Sequence, residues 1–160
     1  MPVIRPAVPA DEGFLVGLTS RLADFDLPPW RTSQQIADAD LELLREALHR
    51  PTAETVILVA EAPPGTPVGF ALISTKTDYF TRQRHAHIEA LAVKRGCEGQ
   101  GLGRALLEAA ENWAAERGDT QITLNAYWQN TRARAVYDWL EWEPETIHYR
   151  KGLNRPEARS

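Results

Sequence analysis

The chain has 160 residues, of which 43% are hydrophobic and 25% charged, the balance of a folded globular domain rather than of a disordered chain. Its 18 basic and 22 acidic residues give a formal net charge of −4, the wrong sign for binding nucleic acid through general phosphate attraction. The single cysteine, Cys97, excludes an internal disulfide, and no Cys/His cluster has the spacing of a zinc site. No secretory leader or membrane-length apolar run is seen, so we expect one cytoplasmic domain over residues 1–160 with no metal, membrane or nucleic-acid partner.

Hydrophobic periodicity divides the chain into helices and short strands. Apolar residues recur at helical spacing in four segments, and β-branched and large apolar residues cluster in six runs. In chain order these predict a strand at 3–5, helices at 11–25 and 34–49, strands at 55–60, 68–74 and 85–93, a helix at 102–117, a strand at 121–126, a helix at 130–140 and a strand at 146–151. The order predicts an α/β fold, with a mixed, mostly antiparallel central sheet and helices on both faces. The polar tail at 154–160 is expected to be flexible.

Two local expectations follow from these elements. Asp11 is a predicted N-cap for the first helix, where a carboxylate can accept from an unpaired backbone N–H. Strict alternation along the strand at 85–93 divides its side chains between the two faces of the sheet. One face is predicted to carry His85, His87, Glu89, Leu91 and Val93, and the other Ala86, Ile88, Ala90 and Ala92.

A glycine-rich loop joins the strand at 85–93 to the helix at 102–117. Gly99, Gly101 and Gly103 alternate with larger residues, and glycine permits backbone angles that turn several N–H groups into one concavity. The helix N-terminus adds its dipole and its own unpaired N–H groups, and Arg104 adds a positive charge. The segment therefore predicts a site for a phosphate or diphosphate.

Two other interpretations of this loop stay open at this point. It is not a Walker-type loop, because no Gly-Lys-Ser/Thr follows, and Gly-x-Gly-x-Gly differs from the Gly-x-Gly-x-x-Gly of dinucleotide-binding folds. A phosphate loop of another kind, such as that of a nucleotide-binding protein, is one alternative. A tight strand-to-helix turn without a ligand is the other.

Two spaced segments resemble the sequence motifs of one enzyme family. The strand at 88–93, the loop at 98–103 and the following helix are similar to motif A of the GNAT superfamily of acyl-CoA N-acyltransferases, normally Arg/Gln-x-x-Gly-x-Gly/Ala. Downstream, residues 130–137 resemble the family's Asn-x-x-Ala-x-x-(apolar)-Tyr segment. The resemblance covers nearly the whole chain, and it implies a GNAT-like sheet in which two parallel strands splay apart to form the cofactor cleft.

The sequence departs from the family pattern at two places. Glu98 stands where the family usually has Arg or Gln, and a carboxylate beside a diphosphate is repulsive unless it points away or pairs with Arg95 or Arg104. Glu141-Trp142 stands where Gly-Phe is common, which puts the local turn in question.

The resemblance implies an N-acetyltransferase that transfers an acetyl group from acetyl-CoA to a primary amine by direct attack, with no metal. Backbone groups of the strand would hold the pantetheine arm, those of the loop and helix start would hold the diphosphate, and two residues of the downstream motif would lie near the thioester. The implied cofactor-binding residues are, in that order, Leu91, Ala92, Val93; Glu98, Gly99, Gln100, Gly101, Leu102, Gly103, Arg104; and Asn130 and Tyr137.

The implied reaction needs a base and an acid. An alkylamine has a pKa of about 10, so a general base must take its proton, and the departing thiolate benefits from a proton donor. Glu89 is the first candidate for the base, His87 is its rival and His85 lies farther back on the same predicted face; Tyr137 is the candidate acid. Structural alternatives are a salt-bridged carboxylate, hydrogen-bonded imidazoles and a core tyrosine.

The sequence defines the amine that accepts the acetyl group less well than it defines the cofactor site. Candidate walls are the aromatic residues Phe25, Trp30, Tyr79, Phe80, Tyr127 and Trp128, and candidate partners of a cationic amine are Asp24, Asp26, Asp38 and Asp40. Small amino compounds, polyamines, aminoglycosides and protein amines all remain open, and the family resemblance leaves a homodimer open. The alternative function is a non-catalytic acyl-CoA-binding sensor or regulatory module; amine-dependent thiol release would exclude it.

Overall fold

The computed structural model describes residues 2–153, and the predicted tail at 154–160 lies outside them. By its internal contacts the chain divides into two compact units, Met1–Asn130 and Thr131–Ser160. Within the part of the chain that the structure describes, the first unit contains the sheet and three α-helices, and the second contains one helix. No helix among the described residues is long and apolar enough to cross a membrane.

The sheet of the first unit has five strands in the order of the chain. They are β1 (Val3–Pro6), β2 (Val56–Glu61), β3 (Pro67–Thr77), β4 (Arg84–Val93) and β5 (Ile122–Leu124). Neighbours β1 to β4 pair antiparallel, and β4 and β5 pair parallel. A parallel neighbour needs a crossover, which here is the helix between β4 and β5. The mixed, mostly antiparallel sheet expected from the sequence is confirmed.

Three α-helices belong to the same unit: α1 (Glu12–Leu18), α2 (Ser33–His49) and α3 (Leu102–Glu116). Short 3-10 turns, Pro9–Asp11 and Thr19–Ala23, flank α1, so the predicted helix at 11–25 is not one continuous α-helix. Thr32 caps α2 by accepting from the Gln35 N–H, while the Gln35 side chain accepts from the Thr32 N–H.

Helices cover both faces of the sheet, as the sequence predicted. On one face, α1 and α2 pack on β2, β3 and β4 through a buried cluster of Leu15, Leu18, Leu44, Leu48, Ile57, Phe70, Leu72, Ala90 and Ala92. On the other face lies α3, whose Leu106 is fully buried. Its Cδ1 would lie 3.3 Å from a Cβ built at Gly69, so glycine at this point of β3 lets α3 approach closely.

Asp11 does not act as the predicted helix cap. Its side chain makes no capping bond to α1; it receives two hydrogen bonds from the Arg5 guanidinium, at 2.8 and 2.9 Å, and one from the Val8 N–H at 2.8 Å. Asp11 is buried, and a buried carboxylate needs a cation and donors. The Arg5 hydrogen bonds hold its pKa below the usual range.

Among the described residues, the second unit is a helix followed by a segment without regular secondary structure. Here α4 (Thr131–Trp139) carries Tyr137, whose ring lies 6.0 Å from that of Trp142. Glu141 turns the chain with φ of 65°, the left-handed conformation that glycine adopts without strain, and the Trp142 N–H donates to the Tyr137 carbonyl. The predicted strand at 146–151 is wrong, because these residues form no ladder in the described structure. Apolar spacing alone cannot supply the partner that a strand needs.

Candidate active site

A β-bulge in β4 determines which way Glu89 points. Leu72 of β3 pairs with Ala90 and the next residue, Ile73, pairs with Ile88, so Glu89 is an extra residue without a partner in this ladder. Directly paired residues of antiparallel strands present their side chains on the same face. Leu91 and Val93 therefore share the face of Ala86 and Ile88, while His85 and His87 share the α1–α2 face with Ala90 and Ala92. The predicted alternation is wrong beyond Glu89 because the bulge reverses it.

Glu89 is half-buried and has two donors on β3. Its Oε1 accepts from Ser74 Oγ at 2.7 Å and lies 2.8 Å from Lys76 Nζ. Ser74 pairs with His87 and Lys76 with His85 in the β3–β4 ladder, so Glu89 lies on the histidine face. Burial by itself would raise the pKa of Glu89, but Lys76 and Ser74 outweigh it and hold the pKa below its usual value. At neutral pH this carboxylate is ionised.

The two histidines of β4 converge on one hydroxyl of β5. His87 Nδ1 lies 2.7 Å and His85 Nε2 lies 3.1 Å from Thr123 Oγ1. A hydroxyl carries a single proton, so at least one of the two imidazoles donates to it. Burial lowers the pKa of His87, the neighbouring Glu89 opposing it, and the imidazole is therefore neutral at pH 7. Thr123 could not be identified from the sequence, because its role depends on the β4–β5 register.

Asp40 brings a second carboxylate towards Glu89 from α2. Burial and, to a smaller extent, repulsion by Glu89 raise the pKa of Asp40 to about 6. Among the four aspartates that the sequence suggested for a cationic amine, Asp40 is the one whose pKa the Glu89 charge raises. Repulsion between two carboxylates favours positive charge near them.

The parallel strands separate where the cofactor cleft was predicted. Their ladder consists of three pairs, Ala86 with Ile122, His87 with Thr123 and Ile88 with Leu124. Beyond that point β4 runs on to Val93 while β5 ends. The last five residues of β4 thus have no partner on that side in the described sheet, and their backbone groups line the gap. This is the splayed pair that the resemblance implied, and it contains Leu91, Ala92 and Val93.

The glycine-rich loop presents backbone N–H groups beside the same strand end. Gly99 and Gly101 have φ of 78° and 76°, the left-handed conformation, and Gly101 is the N-cap of α3 without a side-chain capping bond. The first N–H groups of α3 have no partner inside the helix. A Cβ built at Gly99, Gly101 or Gly103 would meet no atom within 4 Å, so the space beside the loop is open to a ligand. These features fit a diphosphate.

The charged residues of the loop are paired in ways that the sequence did not show. Glu98 pairs with Arg21, which lies 77 positions upstream, and accepts from the Gly96 N–H. Arg95 pairs with Asp24 at 2.9 Å, and Arg104 pairs with Glu108 along α3 at 2.9 Å. The Glu98–Arg21 pair could not be predicted from the sequence, because it forms only when the fold places the 3-10 turn after α1 beside the loop.

The remaining predicted residues lie in both units. In the first, Gln100 lies in the loop, Leu102 is buried at the start of α3, and Asn130 donates its backbone N–H to the Tyr127 carbonyl. Tyr127 stacks on Phe25 with ring centroids 5.4 Å apart, whereas Tyr79 and Phe80 are exposed and contact each other. Tyr137 lies on α4 of the second unit, and burial raises the pKa of its phenol.

Comparison with known proteins decides the family. The model of the acetyltransferase (GNAT) family matches residues 19–141, which is most of the chain. This chain belongs to the GNAT acetyltransferase family. The GNAT fold, the acetyl-CoA cosubstrate and the transfer of an acetyl group to an amine, all implied by the resemblance, are thereby confirmed.

Similar proteins support this assignment. The chain is 32% identical to an aminoglycoside N(6′)-acetyltransferase type 1 of Klebsiella aerogenes, over 78% of this chain and 82% of the relative. It is 28% identical to a thialysine N-epsilon-acetyltransferase of Bos taurus, over 86% of this chain and 82% of the relative. An aminoglycoside N-acetyltransferase solved in complex with CoA has the same fold, with a TM-score of 0.68 at 20% identity, over 94% of this GNAT chain and 95% of that one.

Proposed function

We propose that this N-acetyltransferase acetylates a small molecule that carries more than one ammonium group, with Glu89 as the general base. The observation that carries the proposal is the half-buried Asp40 of α2, whose pKa is raised by burial and by the charge of Glu89 on the α1–α2 face of the sheet. Two carboxylates that repel each other are stabilised when a cation binds between them. A second ammonium group on the substrate can stay near Asp40 while the reacting amine approaches Glu89.

The protonation states of the amine and of the groups at the site support Glu89 as the base. An alkylamine with a pKa of about 10 arrives protonated and must lose its proton before it attacks. Glu89 is ionised, so it can accept the amine proton directly or through water, while Ser74 and Lys76 hold its Oε1 in place. His87 Nδ1 is engaged with Thr123, whereas Glu89 carries a full negative charge that also attracts the ammonium group, and this favours Glu89 over the histidine.

The cofactor-binding roles are proposed for the residues that the resemblance implied. Bound acetyl-CoA supplies an activated thioester. The backbone of Leu91–Val93 would hold its pantetheine arm, and the N–H groups from Gly99 to Arg104 would hold its diphosphate. Amine attack forms the N–C bond and breaks the C–S bond. Tyr137 would return a proton to the departing thiolate, since its raised pKa keeps the phenol protonated.

The names of two relatives also support the proposed class of acceptor. Two relatives with similarity over most of their length are named aminoglycoside N(6′)-acetyltransferases, and aminoglycosides are small molecules with several ammonium groups. The same chemistry is present in polyamines. We also propose a cytoplasmic location, for which Cys97 as the lone cysteine is suitable in a reducing compartment.

An amine panel tests the proposal. Thiol release from acetyl-CoA is measured with an aminoglycoside bearing a 6′-amino group, with spermidine, with lysine and with a monoamine of similar length. We expect kcat/KM at least about tenfold higher for the polyamines than for the monoamine, and Asp40→Asn should remove most of that preference. Equal rates across the panel, or a preference unchanged in Asp40→Asn, would contradict the role proposed for Asp40.

A further inference from the structure

Arg21 connects the segment after α1 to the glycine-rich loop. Its Nη2 lies 2.5 Å from Glu98 Oε1, its Nε donates to the Val93 carbonyl at 3.1 Å, and its Nη1 pairs with Asp24. Only 17% of the Arg21 side chain is exposed, so little water competes with these contacts. One guanidinium therefore fixes the end of β4 and the beginning of the loop together.

Glu98 is oriented by the same contacts. Its Oε2 accepts from the Gly96 N–H at 2.7 Å, while its Oε1 faces Arg21. Asp24 extends the network, since it also accepts from Arg95. The Glu98 carboxylate is thus paired with a cation at the very place where the loop presents its N–H groups to an anion.

We propose that Arg21 is a positioning residue for acetyl-CoA: by neutralising Glu98 it lets a loop that carries a carboxylate accept a diphosphate. The proposal rests on the proposed placement of the diphosphate on this loop. Without Arg21, the unpaired Glu98 charge would repel the diphosphate. That repulsion acts on acetyl-CoA and is absent for an acetyl donor that has no phosphates.

Steady-state kinetics with two acetyl donors test the proposal. S-acetyl-pantetheine has the thioester and the pantetheine arm of acetyl-CoA but no phosphate. For Arg21→Ala we expect the KM for acetyl-CoA to rise about tenfold, because a partly buried ion pair is lost beside an anion. Adding Glu98→Gln to Arg21→Ala should return this KM to within about threefold of the wild-type value, because the repelling charge is gone. With S-acetyl-pantetheine, Glu98→Gln should give no such recovery.

Two further variants complete the test, one as a charge control and one that does not depend on the folding of Arg21→Ala. Arg45→Ala removes the same charge from the exposed surface of α2 and should leave both KM values unchanged. Glu98→Gln alone keeps an oxygen that can accept from the Gly96 N–H, so it serves even if Arg21→Ala does not fold. Because the Glu98 charge beside the diphosphate is then gone, the KM for acetyl-CoA should fall about twofold.

The outcomes separate this inference from the proposed placement of the diphosphate. Gly101→Ala strains the loop, since φ is 76° there, and should raise the KM for acetyl-CoA if the loop binds the diphosphate. If Gly101→Ala does so but Glu98→Gln does not reverse the Arg21→Ala defect, or reverses it equally with both donors, the role of Arg21 is refuted and the placement stands. If Gly101→Ala alters neither KM, the placement itself fails.

Discussion

Lys76 Nζ lies 2.8 Å from Glu89 Oε1, so the proposed general base is already paired with a cation from the neighbouring strand. The bulge at Glu89 makes this contact, because it turns the carboxylate towards the face that Lys76 shares with His85. The pair has two opposite consequences. It keeps Glu89 ionised, ready to accept a proton, and it makes Lys76 a competitor of the incoming ammonium group for the same oxygen.

The pH profile should report the Lys76–Glu89 pair. Lys76 lowers the pKa of Glu89, so Lys76→Met should raise that pKa and move the acid limb of kcat/KM to higher pH. Ser74→Ala, which removes a neutral donor to the same carboxylate, should move the limb in the same direction by less. Lys151→Met, at an exposed lysine of the second unit, is the control. An acid limb that stays in place in Lys76→Met would show that Glu89 is not the titrating base.

Glu89→Gln should separate chemistry from cofactor binding. We expect kcat to fall about 10²-fold, the usual range for loss of a general base, while the affinity for acetyl-CoA measured by calorimetry stays within about twofold. The matched variant His87→Gln should cost less than about tenfold in kcat, since the Nδ1 of His87 is held by Thr123. The reverse pattern, with Glu89→Gln active and His87→Gln inactive, would assign the base to His87.

The sequence supports prediction of the fold much better than of side-chain direction at the site. Helical spacing locates α2 and α3, and β-branched runs locate β2, β3 and β4, because burial of an apolar face shapes each element locally. The bulge at Glu89 is a property of two paired strands, and one extra residue reverses every later side chain. Alternation along β4 alone could not reveal it.

Long-range charge pairs are a second feature that could not be predicted from the sequence. The sequence shows Glu98 as a departure from the family pattern, but its pairing with Arg21 depends on where the turn after α1 lies. The predicted strand at 146–151 fails for a related reason, since a ladder needs a neighbour as well as a suitable composition. Roles of the site residues remain predictions that the experiments above address.

Asp40 should make stability depend on pH. Its pKa is about 6 in the folded protein, against an ordinary value of 3.8 for aspartate, so the folded state holds this proton more tightly than the unfolded chain does. Stability from this group is therefore fully present below the unfolded value and is lost as pH rises through about 6. Asp40→Asn should raise the Tm relative to wild type near pH 8 and change it little near pH 4, as measured by thermal unfolding. An equal rise at both pH values would contradict the assigned pKa.

Glu141 should be a site where glycine stabilises the protein. Its φ of 65° costs a non-glycine residue about 1–2 kcal/mol, and the added unfolded-chain entropy of glycine offsets about 0.5–1 kcal/mol of that, so Glu141→Gly should increase the free energy of unfolding by about 0.5–1 kcal/mol. Urea denaturation measures the change. Glu145→Gly, at an exposed position without positive φ, is the control and should give no gain because glycine adds entropy to the unfolded chain.

Tyr137 provides the remaining prediction for the reaction. Burial raises the pKa of its phenol, so the group keeps its proton across the working pH range and can give it to the departing thiolate, whose pKa is about 8.5. Tyr137→Phe should lower kcat about tenfold with an unchanged KM for acetyl-CoA, since the ring and its packing on Trp142 remain. Tyr149→Phe, at an exposed tyrosine of the same unit, should have wild-type kinetics. An unchanged kcat in Tyr137→Phe would reduce Tyr137 to a packing residue, because only the phenolic oxygen differs between the two side chains.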